Sequence, residues 1–537
     1  MKKKPWWIYV LIVFISAAVV IWGAEQYLKK KIRQELQIQT VRGDTLQVNQ
    51  VNLGLIGGWV DINDLLIRWN IGGEDGAKER LTYVMRGEVG KVQIKGLSFL
   101  QYILRGKIQI RQLLIDSSQL DLFLIRKAPL DTDAEPDSDQ AASLTVDIAG
   151  IALAPSRIRY FESRDLPPSL EVGGLGLDIQ GFRYPQDSLD RNFLQEGNFT
   201  AQDVRFGRPD YFSDLFLHRL VGSVTDSSLH FRQLHFLPRF SKEEYSRHLK
   251  NQDSRVDITV AEGRLQGINW RGLLNAGDLQ VRTFEMDSCN IQVYEDSRLP
   301  IDETRYKSLY QEKLLKLDLA ITLDSLLVRN GNLNYEIRPK EAVADLGYLD
   351  FRSLQATITN ITNDSQRITY QPLLKASIQT VLNGESRLNT YFTFDLSSDQ
   401  YAYTYSGEMH GFDLSRFNTM LSETSKMSIT EGIMQQMKFE VEADNQVARG
   451  EMHMDYSDLK IEWLDKHNRL AALAQKIVMR ESNPRNGNYR IGQIYFERLP
   501  SRSFWNYYVK SLLSGLNSIA MPNLLLPEEL DSRKEKD

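Results

Sequence analysis

The chain has one cysteine, Cys289, in 537 residues, which excludes an intrachain disulfide framework. A body of this size folds without one when it buries enough apolar area, so Cys289 reads as a small packing residue between strand positions. Excess charge is scarce too: 65 Lys and Arg against 70 Asp and Glu leave a net charge of -5. A duplex-binding protein carries a clustered basic excess, so nucleic acid is not the expected partner. Catalytic constellations are also missing. The seven histidines are scattered. The nearest pair, His230 and His235, alternates with Leu229, Phe231, Leu234 and Phe236, which puts both on the polar face of a strand. Gly57-Gly58 and Gly173-Gly174 lack the nucleotide-binding spacing and open no helix, and Ser514-Gly515 lacks the preceding glycine of a nucleophile elbow. The acidic stretch 129–143, with Asp131, Asp133, Glu135, Asp137 and Asp139, has no glycine-enforced turn or terminal bidentate carboxylate for Ca²⁺ and reads as a flexible loop. The expectation is a non-enzyme without metal or cofactor.

Hydrophobic content of 42% and charged content of 25% are those of a folded protein. Its clearest feature is N-terminal. Lys2, Lys3 and Lys4 precede a run from Pro5 to Ala24 without a charge, and Lys29, Lys30, Lys31 and Arg33 follow it. Twenty residues at about 1.5 Å rise give roughly 30 Å, a bilayer's hydrocarbon thickness. Trp6, Trp7 and Tyr9 at one end, and Trp22 and Tyr27 at the other, are the amphipathic rings that favour the interface. Ser16 to Ala18 has the small residues of a signal-peptidase site, but Val19 to Trp22 continues the apolar run past it, which favours an uncleaved anchor. A short N-terminal tail and a long C-terminal body favour N-in, C-out.

From residue 46 onward alternation dominates, and one spacing returns. Ile108, Ile110, Leu113, Ile115, Leu120 and Leu122 set it: two alternating pairs a three-residue step apart, then a five-residue step to a third pair. Val146, Ile148, Ile151, Leu153, Ile158 and Tyr160 repeat it, as do Leu279, Val281, Phe284, Met286, Ile291 and Val293, and Ile321, Leu323, Leu326, Val328, Leu333 and Tyr335. Half-copies are Val60, Ile62, Leu65 and Ile67; Val92, Ile94, Leu97 and Phe99; Leu170, Val172, Leu175 and Leu177; and Leu229, Phe231, Leu234 and Phe236. Residues two apart in a strand share a face, and a three-residue step needs a bulge or bend to return the next pair to it. The five-residue step holds Asp116-Ser117-Ser118, Ala154-Pro155-Ser156 or Arg329-Asn330-Gly331, which predicts a tight reversal. The expected unit is a bulged strand plus a returning strand, stacked into a long antiparallel sheet with one apolar face.

Short helices are expected at Ser98–Arg105, Trp270–Ala276, Lys242–Lys250 and Tyr306–Leu315. A longer amphipathic one is expected over Ser503–Ile519, with Phe504, Trp505, Tyr508, Val509, Leu512, Leu513, Leu516 and Ile519 on one face. It reads either as a plug over the open end of the sheet or as a foot on a membrane or partner. The regions are then 1–28 (membrane anchor with a short basic cytoplasmic tail), 29–128 (first repeat region), 129–143 (acidic loop), 144–500 (continuing body), 501–525 (C-terminal amphipathic helix) and 526–537 (charged tail). Periodicity leaves two readings of the apolar face open: an ordinary core, or the floor of a trough for acyl chains.

An anchor followed by "GGWVDINDLLIRW" and "LSFLQYILRGKIQIRQLLIDSSQLDLFL" resembles the AsmA-like family of Gram-negative envelope proteins, to which TamB and the eukaryotic bridge-like lipid transfer proteins are related. Gly407 to Leu464, "GEMHGFDLSRFNTML" through "ITEGIMQQMKFEVEADNQVARGEMHMDYSDLKIEWL", is similar to that family's C-terminal region. The resemblance implies a mainly β fold, an elongated repetitive sheet curled into a taco-shaped groove, anchored in the inner membrane with its body in the periplasm. It implies phospholipid as cargo, passed toward the outer membrane, and an outer-membrane or periplasmic protein as partner at the C-terminal end. The family has no catalytic motif. The groove lining would then be Val60, Ile62, Leu65, Ile67, Ile108, Ile110, Leu113, Ile115, Val146, Ile148, Ile151, Leu153, Leu279, Val281, Phe284, Met286, Ile321, Leu323, Leu326 and Val328, with Trp6, Trp7, Tyr9 and Trp22 at the anchor. About 25–30 strands at roughly 4.8 Å spacing would extend ~120–145 Å. The alternative is a scaffold or regulator of outer-membrane protein and envelope assembly that carries no lipid.

Overall fold

The computed structural model describes residues 22–23, 25–27, 29–30, 45–72, 79–98, 107–129, 145–184, 196–207, 212–340, 345–424, 427–464 and 479–521. Trp6, Trp7 and Tyr9, the acidic loop from residue 130 on, the helix expected over 99–105 and the tail 526–537 lie outside these residues. Residues 22–23, 25–27 and 29–30 are helical. Among the described residues no helix is long and apolar enough to cross a membrane.

Among the described residues the protein is mainly β, 63% strand, and contacts divide it into two units, Met1–Phe231 and Arg232–Asp537. The first unit contains β1 (Thr45–Gly54), β2 (Trp59–Gly72), β3 (Glu79–Lys95), β4 (Lys107–Pro129), β5 (Thr145–Phe161), β6 (Leu170–Tyr184), β7 (Glu196–Phe206) and β8 (Ser213–Ser223). The division falls within β9 (Ser228–Pro238). The second unit continues with α1 (Lys242–His248), β10 (Arg255–Gln266), α2 (Trp270–Ala276), β11 (Leu279–Asp296), α3 (Tyr310–Leu315), β12 (Ile321–Arg338) and β13 (Gly347–Thr362). Then come α4 (Ser365–Tyr370), β14 (Leu373–Leu382), β15 (Ser386–Asp395), β16 (Tyr403–Asp413), α5 (Asn418–Thr424), β17 (Met427–Ala443), β18 (Val447–Trp463), β19 (Gly492–Glu497) and α6 (Phe504–Ala520). Helices thus stand near four of the expected places, with α1 and α3 shorter than expected.

Two expectations are corrected. The five-residue step is no reversal: β4, β5, β11 and β12 each run straight through it, as single strands of 23, 17, 18 and 18 residues. In three of them the turn-forming residues supply a left-handed residue inside the strand instead: Ser117 (φ 56°), Ser288 (φ 55°) and Asn330 (φ 53°). One such residue rotates the chain so that the following side chains return to the starting face, which is what the odd spacing requires. Each copy is therefore one strand rather than two, and nineteen strands are described instead of the larger number expected. The sheet is also not wholly antiparallel. β4 pairs with β5, and β11 with β12, in parallel. The two copies of each pair lie residue against residue: Ile108 opposite Val146, Ile115 opposite Leu153, Leu120 opposite Ile158, and Leu279 opposite Ile321, Met286 opposite Val328, Ile291 opposite Leu333. Identical spacing is what lets parallel neighbours match along their whole length. The remaining ladders, β1–β4, β5–β8, β10–β11 and β12–β19, are antiparallel and join successive strands.

The three-residue step does hold a bend. In the half-copies the left-handed residue is inside the step: Asp64, Gly96, Gly174 and Gln233. In the full copies it sits across the ladder. Gly267 (φ +69°) comes so close to Arg282 that a Cβ on the glycine would fall 2.7 Å from the arginine Cβ. Gly96 stands in the same way against Arg111. Gly181 and Asn360, also left-handed, fall opposite the equivalent steps of β5 and β12 by their flanking registers. The two units thus share one plan. Gly96, Gly106, Arg111, Asp116 and Ser117 recur at one constant spacing in sequence as Gly267, Gly277, Arg282, Asp287 and Ser288, and β3–β6 pair among themselves as β10–β13 do.

Candidate functional site

Residues directly opposite in a ladder point to the same face. In the first unit this draws aliphatic rows across the strands. One runs Leu53, Val60, Ile94, Leu113, Ile151, Ile179; its neighbour runs Val51, Ile62, Val92, Ile115, Leu153, Leu177, Phe199. Past the left-handed residues the same face continues with Leu65 opposite Val48 and Val89, and with Ile67 beside Gly87 and Leu120. Ile62, Leu65, Ile94 and Leu97 all pack on the buried cluster Val48, Val51, Leu53 and Val60, so the rows on both sides of each bend share one face. Ser98 N donates to Gln109 O, which lays Leu97 alongside Ile110, opposite Ile148.

The opposite face is polar. Arg86, Asp121, Arg159, Glu171 and Arg205 follow one another across β3 to β7 in alternating sign. Arg159 donates to both Asp121 oxygens at 2.7 Å. The neighbouring carboxylate, foremost through this hydrogen bond, holds the Arg159 pKa above its ordinary value. Cross-strand pairs of this kind contribute about 0.2–1 kcal/mol each, and their main effect is to fix which face is wet.

Most of the expected lining is half-buried: Ile62, Leu65, Ile67, Ile108, Leu113, Ile115, Val146, Ile151, Leu153, Leu279, Phe284, Met286, Ile321, Leu326 and Val328. Val60, Ile110, Ile148, Val281 and Leu323 are buried among their neighbours. Among the described residues of the first unit, no helix packs on the apolar face. A cleft of about 730 Å³ lies at the β1 end, with Val48, Leu65 and Val89 on its walls beside Asn49, Asp64 and Ser117.

In the second unit the same face passes from half-buried to covered along a single row. Phe284, Leu326 and Ile358 are half-buried, and their row continues as Ala376, Phe392, Tyr405 and Val441 and, through Gly450, Ile494, these five apolar side chains all buried. Part of the cover is α6, whose Phe504, Tyr507 and Ile519 join the buried cluster. The Phe504 ring lies 5.6 Å from Tyr403 and 6.0 Å from Phe392. Tyr405 and Ser511 hydroxyls are hydrogen-bonded across the interface. The helix comes so close that a Cβ on Gly515 would fall 2.7 Å from Ile494 Cγ1. Ser503 caps its first turn, and Arg490 Nη1 reaches the carbonyls of Ile519 and Met521 at its last. Burial pushes the Tyr403, Tyr405, Tyr507 and Tyr508 phenols far above their ordinary value, so this aromatic nest stays neutral. The helix thus lies on the apolar face and not over an open end of the sheet, with Trp505, Val509 and Leu513 exposed on its other side.

Cys289 is buried, and burial raises its thiol pKa, consistent with a packing residue. His235 is exposed on β9. Among the described residues, no group of three or more His, Cys, Asp or Glu could hold a metal ion. Sequence reasoning missed Val51 and Leu53 on β1, Ile179 on β6 and Ile358 on β13, which extend the rows. Each sits in a short alternating stretch that the repeat template does not match. Set against known proteins, the chain matches no protein-family model and no curated protein.

Proposed function

We propose that the chain is a phospholipid-conducting groove protein: the half-buried aliphatic rows hold acyl chains, and the polar opposite face and strand ends meet water. The observation that carries this reading is the contrast along one kind of row. Where α6 lies on it, the row is a dry, aromatic-rich core; where no helix lies on it among the described residues, aliphatic side chains stand half-exposed on strand after strand. Placing a sixteen-carbon chain on such rows, at about 0.8 kcal/mol per CH₂, is worth on the order of 10 kcal/mol. No catalytic step is needed for that task. With the apolar run Pro5–Ala24 as its anchor, the body would stand in the periplasm on an inner membrane, pass phospholipid toward the outer membrane, and belong with the AsmA-like proteins it resembles. An outer-membrane or periplasmic protein at the C-terminal end would complete the route.

The test is to purify the chain from cells in a mild detergent and measure bound lipid by mass spectrometry. Phospholipid at one or more molecules per chain is the expected result. A lipid-free chain would favour the scaffold or assembly-regulator role instead.

A further inference from the structure

The turn between β1 and β2, residues 55–58, holds Ile56 out with 81% of its surface exposed. Leaving so large an aliphatic side chain in water forgoes the gain of burying it. Trp59, the first residue of β2, is exposed as well. The turn is not free to wander. Leu55 N donates to Glu25 Oε1 at 2.9 Å, which ties it to the helical residues near the N-terminus. On that helical stretch Trp22 and Tyr27 are 62% and 67% exposed.

The position of Glu25 in the sequence says what covers these side chains. It is the first charged residue after the run Pro5–Ala24, and Lys29 and Lys30 follow it. A run of that length fits a bilayer, and Trp, Tyr and Lys are the residues that gather where such a run meets water. Wherever the run leaves the hydrocarbon, Glu25 stands at the boundary and holds the β1–β2 turn beside it.

We propose that this turn docks on the bilayer: Ile56 and Trp59 enter the boundary between headgroups and acyl chains, and Glu25 acts as the positioning residue. Leu53 opposite Val60, the first apolar pair behind the turn, is then brought to the membrane surface, where lipid would step onto the rows. The docking rests on the reading of Pro5–Ala24 as a membrane anchor, and that last clause rests on the groove reading as well.

The test uses the full chain in liposomes of phosphatidylethanolamine and phosphatidylglycerol, in a Cys289→Ala background. An environment-sensitive NBD label is placed at Ile56→Cys, and a second at the 89% exposed Tyr370→Cys. The Ile56 label should emit blue-shifted and be quenched at least twofold by phospholipid carrying a nitroxide high on its acyl chain, while the Tyr370 label is unaffected. Glu25→Ala should reduce the quenching, and Glu25→Gln, which keeps an acceptor, should restore it. Water-like, unquenched emission from the Ile56 label, or equal quenching of both labels, overturns the proposal. Bound lipid measured on the same samples separates the two ideas. An unquenched turn on a lipid-loaded chain sinks the docking alone, and a quenched turn on a lipid-free chain sinks the groove alone.

Discussion

Replacing Ile115 and Leu326 together by aspartate is expected to lower phospholipid transfer between donor and acceptor vesicles at least tenfold while the sheet stays folded. Each residue is half-buried in the middle of a row, one in each unit. A carboxylate there meets an acyl chain without a partner, and stripping its water costs about 2 kcal/mol or more, while every 1.4 kcal/mol is a factor of ten. Ile115→Ala with Leu326→Ala keeps the row apolar and should retain most of the transfer. Circular dichroism and protease resistance check folding in parallel. The choice of positions matters. Ile110 and Val281 belong to the same repeat, but they are 9% and 5% exposed, so a charge at either tests the stability of the sheet and not its cargo. Unchanged transfer by a folded double aspartate variant would remove acyl chains from the account.

Phe504→Ala is expected to destabilise the second unit by about 3–5 kcal/mol, the usual cost of truncating a buried aromatic. The side chain is 5% exposed and sits among Tyr310, Phe392, Phe394 and Tyr403, with ring centroids 5.0 to 6.2 Å away. Its neighbour Trp505 is half-exposed at the rim of the cluster, against Tyr310 and Tyr508, and Trp505→Ala should cost less than Phe504→Ala. Urea unfolding followed by near-ultraviolet circular dichroism reads both. Equal small losses would mean that α6 does not hold the row closed, and the contrast between open and covered rows would lose its physical basis.

The rows were legible in the sequence because alternation and register are both short-range. Ile108 to Leu122 and Val146 to Tyr160 carry the same spacing, and the ladder places them side by side. The bend at each odd step was legible too, but its location was misread. Ser117, Ser288 and Asn330 have the chemistry of turns, and short polar side chains serve equally for a reversal or for a single left-handed residue inside a strand. Local sequence does not separate these, since the choice depends on whether the neighbouring strand continues the ladder. For the same reason the parallel pairing was missed: direction depends on the connection between strands, not on their pattern. Burial also escaped. Nothing local distinguishes Ile110 from Ile115, and the covered stretch in β14–β19 differs from the open rows mainly by aromatics, Phe392, Phe394, Tyr403 and Tyr405, that α6 presses on.

Photo-crosslinking in living cells tests the central claim most directly. A benzophenone amino acid at Leu153 or Leu177, on the apolar face, should form adducts with phospholipid. The same group at Ala152 or Asp178, opposite each other one residue along and hence on the other face, should form none. Adducts confined to the apolar rows are the result the account predicts. Equal labelling of the two faces, or none on either, would contradict it.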